Sequence, residues 1–230
     1  MFAPSSPRPM AKSLRVLAAL LNYPDASIRG YLLEMKVLLH EECAISQSRR
    51  IELDTLIDAL ARTEPLDAEA DYVELFDRGR ATSLHVFEHV HGDSRERGPA
   101  MVDLGQTYEK AGLVLEAGEL PDYLPVVLEF VSTQPPREAR AFLAEMAHIF
   151  NAIFGALRQR ESAYASVLAA LLELAGEESR PVTPLAQESL EESWAEPPVF
   201  DGCSSKGQTR PGQAQPIHLV RRAADPGATA

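Results

Sequence analysis

Apolar residues return at helical spacing along most of this chain, and that recurrence constrains the fold more than any other feature of the sequence. Leu14, Leu17, Ala18 and Leu21 share one helical face, followed by Ile28, Tyr31, Leu32, Met35 and Leu39, and then by Leu53, Leu56, Ile57 and Leu60. Each set obeys the i, i+3, i+4, i+7 spacing of an amphipathic helix. Tyr72, Leu75 and Phe76 continue the period after Pro65, and Met101, Leu104 and Tyr108 resume it after Pro99. Leu124, Val127, Leu128 and Val131 form the next stripe, Phe142, Leu143, Met146, Phe150, Ile153 and Leu157 a longer one, and Tyr164, Val167, Leu168, Leu171 and Leu172 the last. Pro24-Asp25, Pro121-Asp122 and Pro135-Pro136 stand where helices should start, because a first-turn proline gives up only an N–H that lacks a partner anyway. Asp122 reads as an N-cap, worth about 1 kcal/mol. No alternating β-branched run competes with this pattern. The expectation is an all-α fold: a single helical bundle domain of about eight helices over residues 11–175.

The flanks read differently. Residues 1–10 carry three prolines among small residues and are expected to form a flexible arm. Residues 176–230 hold seven of the 17 prolines and five of the 13 glycines, and a segment with so little periodic apolar surface cannot offset its ordering entropy. A largely disordered tail follows, interrupted by two apolar islands, Trp194–Phe200 and Pro216–Val220.

Of the net charge of −12, the tail contributes only five basic against eight acidic residues, so the acidity belongs mainly to the helical body. Such a field repels nucleic acid and attracts basic peptides. Cys43 and Cys203 are the only cysteines, too few for a secreted disulfide framework, which favours a cytoplasmic setting. The apolar run Val16–Leu21 follows Lys12 and Arg15 but is too short for a signal peptide, and no stretch approaches the roughly 20 apolar residues of a membrane span. Membrane insertion is not expected.

Between residues 72 and 103 the chain gathers four arginines and three histidines, which ordinary packing does not require. His85-Val86-Phe87-Glu88-His89 fits the H-x-x-E-H pattern of inverted zinc proteases. A catalytic zinc also needs a third protein ligand and an open position, and no later segment offers an obvious one. His85 and His89 are therefore expected to be hydrogen-bonded, with a zinc-dependent hydrolase kept as an alternative and a permanent helical structural subunit as another. Arg78-Gly79-Arg80 and Arg95-Glu96-Arg97 bracket the histidines. They fit two readings: forks that satisfy helix ends and nearby carboxylates, or a polar floor beside an apolar groove. Glu129, on a stretch otherwise dominated by leucine and valine, reads as a buried arginine partner or as a binding residue. There is no G-x-S-x-G, no C-x-x-C and no glycine-rich phosphate loop, so the chain is not read as an enzyme.

Leu75-Phe76-Asp77-Arg78-Gly79-Arg80-Ala81-Thr82-Ser83-Leu84-His85 and Phe87-Glu88-His89-Val90-His91-Gly92-Asp93-Ser94-Arg95 closely resemble the NarJ-type nitrate reductase assembly chaperones, the delta subunit of respiratory nitrate reductase. Glu119-Leu120-Pro121-Asp122-Tyr123-Leu124-Pro125 with Leu128-Glu129-Phe130 resembles a second motif of that group and of the wider TorD/DmsD-like redox enzyme maturation chaperones. Tyr123 stands where the wider family commonly has histidine. The resemblance covers about residues 12–175 and implies an all-helical cytoplasmic chaperone. It would bind the N-terminal peptide of the apo nitrate reductase catalytic (alpha) subunit, keeping it competent for molybdenum cofactor and iron–sulfur insertion before membrane attachment. It would hold no cofactor stably itself, and molybdenum cofactor biosynthesis proteins would be further partners. The candidate partner-binding residues are Arg78, Arg80, Ser83, His85, Glu88, His89, Asp93, Arg97, Asp122, Tyr123 and Glu129.

Overall fold

The computed structural model describes residues 9–180 except Asp93 and Ala117. Its described residues form eleven α-helices and no strand: α1 (Ala11–Leu21), α2 (Ala26–Gly30), α3 (Leu32–Glu42), α4 (Gln47–Arg62), α5 (Pro65–Phe76), α6 (Val86–Val90), α7 (Arg97–Lys110), α8 (Leu124–Ser132), α9 (Pro136–Glu145), α10 (Ala147–Gln159) and α11 (Ala165–Ala175). A 3-10 turn over Arg80–Thr82 joins α5 to α6. The all-α expectation holds, and the larger count has local causes. Tyr31 and Met146, both with ψ near 0°, each serve as the C-cap of one helix and the N-cap of the next. Each breaks one long stripe into two helices. The third addition, α6, is a five-residue helix inside the polar cluster.

The core forms around α11, whose side chains are buried all round except Glu173 and whose alanines let neighbours approach closely. Helices α10, α9, α4 and α1 pack on it, and α1 in turn lies along α8 and α3. Leu14, Leu17, Leu124, Leu128, Leu143 and Phe150 are fully enclosed there, and truncating one such leucine to alanine costs about 2–5 kcal/mol. The last turn of α11 closes on Gly176 at φ +84°, with the Gly176 and Glu177 amides donating to the Glu173 and Leu172 carbonyls. A left-handed residue at this position satisfies carbonyls that the helix leaves open.

Helix starts draw on distant carboxylates as well as local caps. Asp25 and Ser46 cap α2 and α4 from their own chain neighbourhood. Met10 offers α1 no side-chain acceptor, and Glu42 at the end of α3 replaces it, accepting the Lys12 and Ser13 amides at 3.0 and 2.7 Å. Of the expected N-terminal arm only Pro9 and Met10 are described, and Met10 is buried. The islands at residues 194–200 and 216–220 and Cys203 lie outside the described residues. No helix among the described residues is long and apolar enough to cross a membrane.

Candidate functional site

Two distant segments meet where the polar cluster touches the start of α8. Val86 N–H donates to the Asp122 carbonyl at 2.9 Å and Leu124 N–H to the Leu84 carbonyl at 2.8 Å, pairing His85 with Tyr123 in a single antiparallel bridge. That crossing carries the Asp122 side chain into the interior, where it is fully enclosed. The expected role of Asp122 as the cap of its own helix is incorrect: the residue at the start of α8 is Tyr123, and its side chain makes no capping bond. Asp122 instead accepts the Phe87 amide of α6 at 3.2 Å, lies 3.3 Å from His85 Nδ1, and stands 3.6 Å from Arg97 Nη2. An enclosed carboxylate needs partners for its oxygens, and this one has an amide and an imidazole at hydrogen-bond distance and a guanidinium just beyond it.

The surrounding side chains lock the same joint. Arg97 also reaches Glu88 at 3.4 Å. His89 Nε2 lies 2.8 Å from the Ser83 carbonyl, while the Ser83 hydroxyl accepts the His85 amide at 3.2 Å. The hydrogen bond to Asp122 holds the His85 imidazole above its ordinary pKa; partial burial opposes this, the Asp122 and Glu88 charges add to it, and Arg97 offsets part of it. Tyr123 places its ring 5.5 Å from the His85 ring and its hydroxyl 3.0 Å from that of Tyr72, which donates to the Leu21 carbonyl at 2.8 Å. Burial raises the phenol pKa of both tyrosines.

Seven of the candidate residues therefore come together: Ser83, His85, Glu88, His89, Arg97, Asp122 and Tyr123. Arg78 does not join them; it is exposed and pairs with Glu74 one turn back at 2.7 Å. Arg80 lies against Gly92, whose φ of +53° and lack of a side chain admit its guanidinium. Asp93 lies outside the described residues. Glu129 is exposed, not the enclosed arginine partner expected, and stands on a different surface. The two histidines of the H-x-x-E-H segment address different partners, Asp122 and the Ser83 carbonyl. Among the described residues no group of three or more His, Cys, Asp or Glu side chains is placed to hold a metal ion.

The open feature of this region is a cavity of about 440 Å³ on the outer side of α8. Val126, Glu129, Phe130 and Thr133 supply its floor at helical spacing, Tyr108 and the loop residues Leu113–Leu115 and Glu119 wall one side, and Arg15 and Ser132 close the other. Tyr108 packs on Phe130 with ring centroids 4.8 Å apart and the planes tilted by 42°, and donates its hydroxyl hydrogen to the Pro121 carbonyl at 2.8 Å. Partial loss of water contact raises the Glu129 carboxyl pKa, the Glu119 charge adds to this, and Arg15 offsets part of it. Apolar walls with two carboxylates suit an apolar side chain next to a cation. Sequence reasoning missed Arg15, Tyr108 and Glu119 as neighbours of Glu129, because they come from three separate segments. It also missed Arg160, whose guanidinium donates to the Leu75 carbonyl at 3.1 Å and to Thr82 Oγ1 at 3.2 Å and so fixes the turn after α5.

Comparisons with known proteins agree with this architecture. A family model described as nitrate reductase delta subunit matches residues 44–170, more than half of the chain. The nitrate reductase molybdenum cofactor assembly chaperone NarJ of Escherichia coli K12 is 45% identical over 162 residues, covering 70% of this chain and 69% of that protein. NarW of the same strain is 41% identical over 71% of this chain and 68% of its own length, and NarJ of Bacillus subtilis 168 is 33% identical over 68% and 84%. A crystal structure of a redox enzyme maturation protein from Archaeoglobus fulgidus superposes with a TM-score of 0.51 at 20% identity, over 77% of this chain and 98% of that one, and so shares the fold. The chain belongs to the nitrate reductase delta subunit family.

Proposed function

We propose that this protein is a dedicated assembly chaperone of respiratory nitrate reductase, without a reaction of its own. It binds the N-terminal peptide of the apo catalytic subunit and keeps that subunit competent for molybdenum cofactor and iron–sulfur insertion before membrane attachment. The observation that carries the reading is the 45% identity, over 70% of the chain, to a protein named as such a chaperone. The cavity on α8 supports the peptide step, since Val126 and Phe130 offer apolar seats beside the carboxylates of Glu119 and Glu129. An amphipathic helix with a basic face meets both requirements through anchors at i, i+3 and i+4. The polar joint around Asp122 supports this role indirectly: Asp122 pairs with His85 and Arg97, and Arg97 with Glu88, so the joint sets the position of α6 and α7 relative to α8.

Titration calorimetry with a synthetic peptide carrying the N-terminal segment of the nitrate reductase catalytic subunit tests the reading. Binding that weakens as salt rises is expected, because part of the attraction is between exposed charges. An intact helical protein that gives no binding heat or chemical-shift change with that peptide would remove the peptide step.

A further inference from the structure

Helix α7 is weakly integrated into the fold. Only Tyr108 of its fourteen residues is buried, and Val102 on it is 59% exposed. At its first turn Arg97 reaches Glu88 and Asp122. At its last turn the Tyr108 ring sits on Phe130 and its hydroxyl reaches Pro121. Left-handed glycines lie beyond both ends, Gly92 at φ +53° on one side and Gly112 at φ +80° and Gly118 at φ +99° on the other. Met101, Leu104 and Tyr108 repeat at i, i+3 and i+7, the anchor spacing that an incoming amphipathic helix would present.

The cavity beside Tyr108 holds about 440 Å³. Tyr108 walls this cavity and its ring lies on Phe130, which is only 6% exposed, so a helix seated along Val126, Glu129, Phe130 and Thr133 must displace that ring to reach Phe130.

We propose that α7 is a displaceable resident of the client site. A client peptide, entering as a basic amphipathic helix, takes the seat on Phe130 that Tyr108 occupies, and the C-terminal end of α7 swings outward while Arg97 holds its first turn and Gly112 and Gly118 take up the movement beyond it. Glu119 and Glu129, exposed at the edge of the cavity, then face the basic side of the client. This inference rests on the peptide-binding reading above and adds its regulation: apparent affinity is reduced by the fraction of molecules in which α7 is seated.

The test uses the full chain, the same client peptide and the Tyr108→Phe variant, which keeps the ring on Phe130 and removes only the bond to Pro121. Losing one such bond shifts the seated equilibrium by about fivefold, so the variant binds the peptide up to about fivefold more tightly. Hydrogen exchange in residues 97–110 accelerates when wild-type protein binds the peptide. Unchanged or slower exchange there, or a Tyr108→Phe affinity at or below that of wild type, overturns the inference while peptide binding stands. Absence of any wild-type binding removes the peptide-binding reading and this inference together.

Discussion

Asp122 caps a helix that is not its own: its Oδ2 accepts the Phe87 amide at 3.2 Å across 35 residues of sequence. The same carboxylate faces His85 and Arg97, so one enclosed charge ties α6 and the first turn of α7 to the start of α8. Removing one partner from such an arrangement leaves the others uncompensated in the interior. Asp122→Ala is expected to cost about 3–5 kcal/mol. Asp122→Asn, which keeps an acceptor for Phe87 but loses the charge, is expected to cost less. Urea unfolding of the two variants gives the comparison, and equal losses would show that the charge contributes nothing.

His85 makes part of that stability depend on pH. Its folded pKa is raised, chiefly by the hydrogen bond to Asp122, so the folded state binds the proton more tightly than the unfolded chain does. The contribution is fully present below the unfolded value of about 6.5 and is lost as pH rises through the higher folded value. Unfolding midpoints of wild type and His85→Gln should therefore differ most on the acid side and converge above neutrality. A gap that widens with rising pH would contradict the assignment.

Glu119 and Glu129 are the carboxylates at the α8 cavity. Neutralising either, as Glu119→Gln or Glu129→Gln, is expected to weaken binding of a basic client peptide by about 2–5-fold, in the range of a partly exposed ion pair. The salt dependence should shrink with it. Binding of equal strength and equal salt slope in both variants would place the charged part of the client elsewhere.

Gly176 combines a left-handed backbone at φ +84° with the Arg140 guanidinium packed where a side chain would begin. Gly176→Ala must strain the backbone by about 1 kcal/mol and also move Arg140, whose Nε donates to the Ala175 carbonyl at 3.2 Å. A total loss of about 1–3 kcal/mol is expected from denaturant unfolding. A variant as stable as wild type would mean that the α11 terminus relaxes freely.

Much of the fold was legible because the apolar period survives in the buried faces: Leu14, Leu17, Leu53, Leu128 and Leu171 belong to predicted stripes and all are enclosed. The splits at Tyr31 and Met146 were not legible. Glu-Met-Ala-His contains no helix breaker, and the break at Met146 is an adjustment that lets α9 and α10 each lie against α11. The polar cluster was legible as a place, since so many arginines and histidines in one short segment needed partners. Its partners were not: Asp122 carries the sequence signature of a local cap, and only the bridge between Leu84–Val86 and Asp122–Leu124 carries it to α6.

The sequence by itself determined helices, their apolar faces, the acidic body and a family resemblance that the comparisons then established, because all of these are properties of neighbouring residues or of composition. Tertiary structure decided which charge meets which, that Tyr108 covers Phe130, and that Glu129 faces Glu119 and Arg15 across a cavity. Those relationships join segments many residues apart, and packing rather than local propensity selects among the pairings that the sequence permits.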